Sequence, residues 1–185
     1  GVNSIGHALI ESVDVEIGNT MIDRQYGMWM DIWSELSQRS EKRIGYNNMI
    51  LKNDTHYSPN YVRSGKKTVL YIPLNFWFCR NIGMALPMIA LQYSDVKVNV
   101  KFRNFDECVI VKDGSDPVKH GNLSATLLVD YIFMSSEERY KFSQDTHEYL
   151  IEQLQTTTEP IHLNQLDIQA NVPFNHPVKE LVWVI

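Results

Sequence analysis

Two runs of alternating apolar residues between positions 69 and 103 constrain this chain more than any other feature. In the first run, every second residue from Leu70 to Phe78 is large and apolar, which predicts one apolar face of a β-strand. The second run alternates apolar with polar or basic residues from Val96 to Arg103, which is typical of a strand with one buried and one solvated face. Gly83 and Pro87 interrupt the chain between the runs, so the pattern predicts two strands joined by a compact apolar corner.

The residues before this stretch predict a β-hairpin followed by one amphipathic helix. Residues 7–17 alternate, Gly18 and Asn19 tolerate positive φ, and residues 20–23 resume an extended pattern. The helix carries an apolar stripe at positions i, i+3, i+4 and i+7, formed by Trp29, Ile32, Trp33 and Leu36. We expect this stripe to cover a sheet or close the end of a barrel, because aromatic stripes at this spacing usually pack against a core. Residues 38–68 show no sustained period and are predicted to be a long connection.

Three patterns are predicted in the second half of the chain. Residues 123–134 are largely apolar on both parities, which predicts a central strand buried on both faces. Ser135 and Glu138 have the spacing of a capping box, which predicts a short helical turn. Residues 149–155 are expected to return to extended structure.

The C-terminal residues predict the start of a second β unit. A Thr-rich and Pro-containing stretch, 156–160, is typical of an extended linker. It precedes two further predicted strands, 166–172 and 178–185, which a Pro-containing turn separates. Because the chain starts at Gly1 and stops inside an apolar run at Ile185, we expect both ends to be cut and the chain to be a fragment.

Composition restricts the classes of function. With 44% apolar residues among 185, the chain has enough material for one sizeable core. A formal net charge of −5 argues against a nucleic-acid-binding surface, which needs clustered lysine and arginine. The one basic group, Arg63, Lys66 and Lys67, is interpreted as a solvated turn.

The chain contains few signals of compartment or processing. The only cysteines are Cys79 and Cys108, which imply no disulfide framework and favour a reducing compartment. No apolar run reaches the roughly 18 to 20 residues that span a bilayer, so neither a transmembrane segment nor a signal peptide is predicted. Asn53 and Asn122 match the three-residue N-glycosylation pattern, which arises by chance too readily to predict modification.

No catalytic, cofactor or metal-binding residue is predicted. The chain lacks the motifs of serine hydrolases, zinc proteases and nucleotide-binding loops. Its histidines have no metal-ligand spacing between them, and each is interpreted as a surface or capping residue; they are His7, His56, His120, His147, His162 and His176. Cys79 and Cys108 are interpreted as small hydrophobic residues, not nucleophiles. The many short predicted strands and few helices favour an all-β sandwich or barrel.

Four stretches together resemble the major capsid protein of nucleocytoplasmic large DNA viruses. They are VNSIGHALIESVDVEIG with the following WMDIWSEL helix, YIPLNFWFCRNIGMALPMIALQYSDVKVNV, DYIFMSSEERYKF with HEYLIEQLQ, and FNHPVKELVWV. They occur in the family's order over nearly the whole chain, while residues 38–68 and 104–122 carry little of the resemblance.

The resemblance implies a fold and a role. It implies a jelly-roll sandwich with one amphipathic helix and short helical turns, the N-terminal half of a double jelly roll. Residues 1–158 would then form the first jelly roll without its opening strand or strands, and residues 159–185 the linker and first strands of the second. The role implied is that of a capsid subunit that forms homotrimers, contacts neighbouring capsomers and minor capsid proteins, and assembles into virions in the host cytoplasm. It implies no catalytic residue, no cofactor and no direct contact with nucleic acid.

A ligand-binding β-sandwich, such as a carbohydrate-binding module, is the alternative from another class. Trp29, Trp33 and Trp77 could form an aromatic platform for sugar rings. Burial of the helix stripe would explain two of these residues equally well, and solvent exposure of both Trp29 and Trp33 would favour the binding module. An enzyme would require histidine and carboxylate side chains that converge in one pocket.

Overall fold

The computed structural model describes residues 3–53, 68–108, 123–162 and 167–185. In chain order its longer elements are α1 (Ile5–Leu9), β1 (Ile10–Ile17), β2 (Thr20–Tyr26), α2 (Gly27–Ser37), α3 (Ser40–Ile50), α4 (Trp77–Arg80), β3 (Val96–Phe102) and α5 (Ser136–Gln144). Short 3₁₀ turns lie at Ile82–Met84 and Phe105–Glu107. Within the described residues, none of the helices is both long and apolar enough to cross a bilayer.

The three strands form one antiparallel sheet in the order β2-β1-β3. Gly18 and Asn19 join β1 to β2, and both have positive φ, 57° and 64°, as a tight hairpin turn requires. Val13 and Val15 lie in the centre of the sheet, opposite Val100 and Val98 of β3. The predictions of the hairpin and of a strand from Val96 are therefore confirmed.

The core lies on one face of this sheet. Its buried residues are Ile10, Val13, Val15, Met30, Phe76 and Trp77. Partly buried residues of the stretch 72–86 pack against them, together with Ile151. The first alternating run and the apolar corner that follows it thus form the layer that covers the sheet.

The first alternating run is not a strand, which corrects one prediction. Residues 68–76 form no ladder, although their apolar parity faces the core and Phe76 is fully buried. The N–H of Tyr71 donates to the carbonyl oxygen of Met49, 3.0 Å away at the end of α3, and Pro73 has no N–H to donate. The run therefore packs as an extended segment, with no hydrogen-bonded neighbour strand among the described residues.

Helix α2 buries a different face from the predicted one. Its buried residues are Gly27, Met30 and Ser34, whereas Leu36 of the predicted stripe is exposed. A Cβ atom at Gly27 would lie only 2.1 Å from the carbonyl oxygen of His7, so glycine lets the helix approach the α1–β1 corner closely. That contact determines which face of α2 turns inward.

Two helices occur where the sequence predicted other structure. Residues 40–50 form α3 inside the predicted connection, and residues 54–67 of that connection lie outside the described residues. Residues 5–9 form α1, so the first strand begins at Ile10 and not at His7. Helix α3 buries Tyr46, Asn47 and Ile50, a mixed polar and apolar set that shows no clear apolar period.

The prediction of a buried central strand at 123–134 is wrong for the described chain. Its side chains from Leu123 to Phe133 are exposed, and no ladder forms along the segment. The apolar pattern records a tendency to be buried, but a strand also needs a neighbour for its backbone groups, and none of the described residues supplies one. The capping box that follows is confirmed: Ser135 Oγ accepts from the N–H of Glu138 at 3.3 Å, and the N–H of Ser135 donates to Glu138 Oε2 at 2.8 Å.

Backbone contacts divide the chain into two units, Gly1–Gln153 and Leu154–Ile185. The second unit contains neither helix nor strand in its described residues, so the two strands predicted at 166–172 and 178–185 are absent there. Its turn is held by the side-chain amide of Gln155, which donates to the carbonyl oxygen of Asn175 and accepts from its N–H, both at 3.0 Å.

Candidate functional site

A cluster of polar side chains joins α1, α2 and α3, and we call it the polar cluster. His7 is 1% exposed, with Nδ1 3.2 Å from Asp31 Oδ1 and Nε2 3.0 Å from the hydroxyl of Tyr46. The Lys52 ammonium lies 3.0 Å from Asp31 Oδ1 and 2.6 Å from Glu35 Oε1. Five residues from three helices and the turn after α3 therefore share one connected network.

The electrostatics of the polar cluster favour its ionised groups. Burial raises the pKa of Asp31, but hydrogen bonds from His7 and Lys52 outweigh it and hold that pKa well below its usual range. The hydrogen bond from Lys52 lowers the pKa of Glu35. Burial lowers the pKa of Lys52, yet its two carboxylate partners raise it overall. Burial raises the pKa of Tyr46. The carboxylates are thus held ionised beside an ionised lysine.

This arrangement suits a structural role. Both ring nitrogens of His7 are occupied by protein partners, and its ring is inaccessible to a substrate. A general base must reach the proton that it removes, directly or through one water. The polar cluster instead fixes the three helices relative to one another, because each charged group is directed at another.

The polar cluster has no signature in the sequence, and the surface position predicted for His7 is wrong. His7 was interpreted as a surface or capping residue, but it is among the largest fully buried side chains. Its partners Asp31 and Tyr46 follow it by 24 and 39 positions, and Lys52, which bonds Asp31, follows it by 45, so no local spacing connects them. The only local signal is the separation of Asp31 and Glu35 by four residues, which places both carboxylates on one side of α2.

The three tryptophans of the suggested sugar platform, Trp29, Trp33 and Trp77, do not form an open surface. Trp77 is buried in the core, while Trp29 and Trp33 are half-buried and stack with ring centroids 5.6 Å apart. The guanidinium carbon of Arg80 lies 4.7 Å from the centroid of Trp33. Arg80 also pairs with Glu152, and both residues line a small pocket of about 150 Å³.

The two cysteines lie in surroundings that suppress reactivity. Both are free; Cys79 is exposed and Cys108 is buried. Desolvation raises the pKa of both thiols, so little thiolate is present at neutral pH. Among the described residues, no group of three histidine, cysteine or acidic side chains is placed to hold a metal ion.

Several residues of the patterns considered above lie outside the described residues. These are Arg63, Lys66, Lys67, His56, His120 and Asn122. Asn53 is described, and its backbone N–H donates to Asn3 Oδ1 at 2.9 Å.

The solvated face of the sheet carries polar pairs between neighbouring strands. They are Arg24 with Asp14 at 2.7 Å, Lys101 with Glu11 at 2.6 Å, Asn99 with Glu16 at 2.9 Å and Lys97 with Asn19 at 3.0 Å. The Arg24–Asp14 pair is bidentate, and Asp14 is buried beneath it. This face is thus the wet side predicted for the strand from Val96.

Comparisons with known proteins agree along the whole chain. A family model for the N-terminus of the major capsid protein matches residues 1–135, and one for the large eukaryotic DNA virus major capsid protein matches residues 138–185. The major capsid protein of Pyramimonas orientalis virus is 46% identical over 97% of this chain and 43% of its own length. That of Phaeocystis pouchetii virus is 43% identical over 97% of this chain and 40% of its own length. The chain thus spans about two fifths of these curated relatives.

Solved structures give the same result. A quasi-atomic model of the PBCV-1 virus capsid matches with a TM-score of 0.61 and 30% identity, over 83% of this chain and 36% of that chain. None of the comparisons supports a carbohydrate-binding module, and the relatives and the solved structure are capsid proteins. From the two family models, which together match nearly every residue, the chain belongs to the major capsid proteins of large eukaryotic DNA viruses.

Proposed function

We propose that the protein is the major subunit of an icosahedral capsid, and that it forms homotrimers which act as pseudo-hexameric capsomers. The observation that carries the proposal is the match of the N-terminal capsid family model to residues 1–135. The likeness to a subunit of the PBCV-1 capsid supports it independently. The protein would then reside in the virion, after assembly in the host cytoplasm, and contact neighbouring capsomers and minor capsid proteins.

The exposed apolar surface supports a self-associating subunit. Among the exposed large residues are Leu128, Tyr131 and Phe133 in the segment 123–134. Contiguous exposed apolar surface commonly marks a protein–protein contact. The segment 123–134 would then be covered by another subunit in the assembly.

The finer fold belongs to the same proposal. Residues 1–158 would belong to the first jelly roll and residues 159–185 to the linker and first strands of the second. The three-stranded sheet β2-β1-β3 would be part of one of the two sheets of the sandwich.

The net charge agrees with a shell that does not contact packaged DNA directly. The chain has 22 acidic and 17 basic residues, and an acidic surface repels phosphates. Most charged side chains on the wet face of the sheet are paired across strands, which leaves few cations for a phosphate backbone.

The mass of the purified full-length protein tests the proposal. We expect sedimentation equilibrium to give three times the chain mass, and negative-stain micrographs to show particles with pseudo-hexagonal outlines. A monomer at every concentration up to that of assembly reactions, with no such particles, would contradict it. Binding to a glycan array that depends on Trp29 and Trp33 would favour the carbohydrate-binding alternative.

A further inference from the structure

Strand β3 lies at the outer edge of the sheet. Among the described residues, β1 alone pairs with it. The N–H of Gly18 donates to the carbonyl oxygen of Asp95 at 3.0 Å, so the odd-numbered residues that follow turn their backbone groups toward β1. The N–H and C=O groups of Val96, Val98 and Val100 consequently point away from the sheet.

The free edge has the properties of a pairing template. Its seven residues, VKVNVKF, are mostly β-branched or aromatic with no proline, the composition of segments that add strands. Val100 is 39% exposed, so an added strand would cover apolar surface as well as satisfy backbone groups. Native proteins protect such edges, and lysine is a common means.

The two lysines of β3 would face each other if two copies of this strand paired. Two copies of β3 paired antiparallel with all seven residues overlapping have their two-fold axis at Asn99. Lys97 of one copy then lies directly opposite Lys101 of the second copy, and this happens twice. Like charges directly opposite each other destabilise a strand pair.

The two lysines have different partners within their own sheet. Lys101 is 2.6 Å from Glu11, which neutralises part of its charge. Lys97 bonds to the uncharged side chain of Asn19 at 3.0 Å. Glu11 therefore weakens both Lys97–Lys101 contacts without removing the like charges from the edge.

We propose that Lys97 and Lys101 prevent two copies of the chain from pairing along β3, so that this edge remains an end of the sheet. In a capsid subunit, as proposed above, this repulsion would disfavour pairing of two β3 edges and leave association to other surfaces. The inference can be tested separately from the capsid role, because edge pairing can be measured whether or not the protein forms trimers.

The test combines charge removal with a crosslink at the two-fold axis. The thiol introduced by Asn99→Cys, in a Cys79→Ser background, reports pairing because the Cα atoms of opposed residues lie within disulfide distance. We expect Lys97→Thr with Lys101→Thr to raise its crosslinking rate about tenfold. Lys97→Arg with Lys101→Arg keeps the charge and should crosslink as slowly as the parent.

A second measurement does not depend on the threonine variants folding. With both lysines present, raising the salt from about 0.1 M to about 1 M shortens the Debye length to about 3 Å and should speed the same crosslink. Equal rates for the parent and the threonine variant, or equal acceleration by arginine and threonine, would overturn the proposal. So would a parent rate that does not respond to salt.

Discussion

The substitution Lys52→Met tests whether the polar cluster stabilises the helices. Methionine keeps most of the aliphatic stem that lysine packs against its neighbours, but removes the ammonium that bonds Asp31 and Glu35. Two carboxylates then face each other without the cation between them. The variant isolates the charge of Lys52 with little change in packing.

The expected loss follows from how each partner is exposed. Removing one member of a fully buried ion pair costs about 3–5 kcal/mol, and removing an exposed one about 0.2–1 kcal/mol. The Lys52 side chain is only 9% exposed, whereas those of Asp31 and Glu35 are 43% and 40% exposed. Water therefore screens the remaining carboxylates, and we expect a loss of about 2 kcal/mol.

Urea unfolding followed by tryptophan fluorescence measures this loss. With an m-value near 2 kcal/mol/M, the midpoint should fall by about 1 M urea while m stays unchanged. Lys101→Met is the matched control: Lys101 is also 2.6 Å from a glutamate, but its side chain is 67% exposed. We expect it to shift the midpoint by less than about 0.5 M at low protein concentration. Equal shifts for the two variants would refute the reasoning that burial of the ammonium matters.

Three further perturbations test other parts of the structure. Phe76→Ala removes a fully buried ring and should cost about 3–5 kcal/mol in thermal unfolding, whereas Phe133→Ala, at a 93% exposed ring, should change the stability of the isolated subunit by less than about 0.5 kcal/mol. Because the folded-state pKa of Asp31 is lowered, its contribution to stability is present above the unfolded pKa of about 3.9 and is lost as the pH falls below it. Asp31→Asn should therefore flatten the acid limb of a plot of urea midpoint against pH, and an unchanged limb would contradict this. Arg80→Lys keeps the charge but loses the planar stack on Trp33, so near-ultraviolet circular dichroism should change while the unfolding free energy falls by at most about 1 kcal/mol.

Local signals predicted the parts of the fold that local interactions determine. The Gly18-Asn19 turn, the strand Val96–Phe102 and the capping box at Ser135 each depend on residues close in sequence. Their conformation follows from positive φ, alternation and a side chain that reaches a nearby N–H. These features formed where the sequence indicated them.

The predictions failed where the outcome depends on a distant partner. Alternation in 68–76 and in 123–134 indicates which side chains favour burial, but a ladder forms only if another strand lies alongside. Helix α2 buries a face other than its apolar stripe because Gly27 lies against the carbonyl oxygen of His7. These two residues are 20 positions apart. Apolar periodicity does not encode such a contact.

The polar cluster illustrates the same limit for the candidate site. His7 and Lys52 are 45 positions apart, and both bond Asp31 from different segments. The sequence neighbours of His7 and of Lys52 do not distinguish either residue from an ordinary polar residue at the surface. Only the close packing of α1, α2 and α3 brings them together, and that packing is itself a result of the tertiary fold.

The buried and exposed apolar residues of this subunit should respond to different measurements. Val13 and Val15 are fully buried, so truncating either should lower the stability of the subunit before any association begins. Leu128 and Phe133 are exposed, so truncating them should leave the subunit as stable as before. If their segment is covered during assembly, as proposed, these truncations should instead weaken association. A loss of subunit stability from the exposed pair that matches the loss from the buried pair would mean that the segment 123–134 is already packed within the isolated subunit.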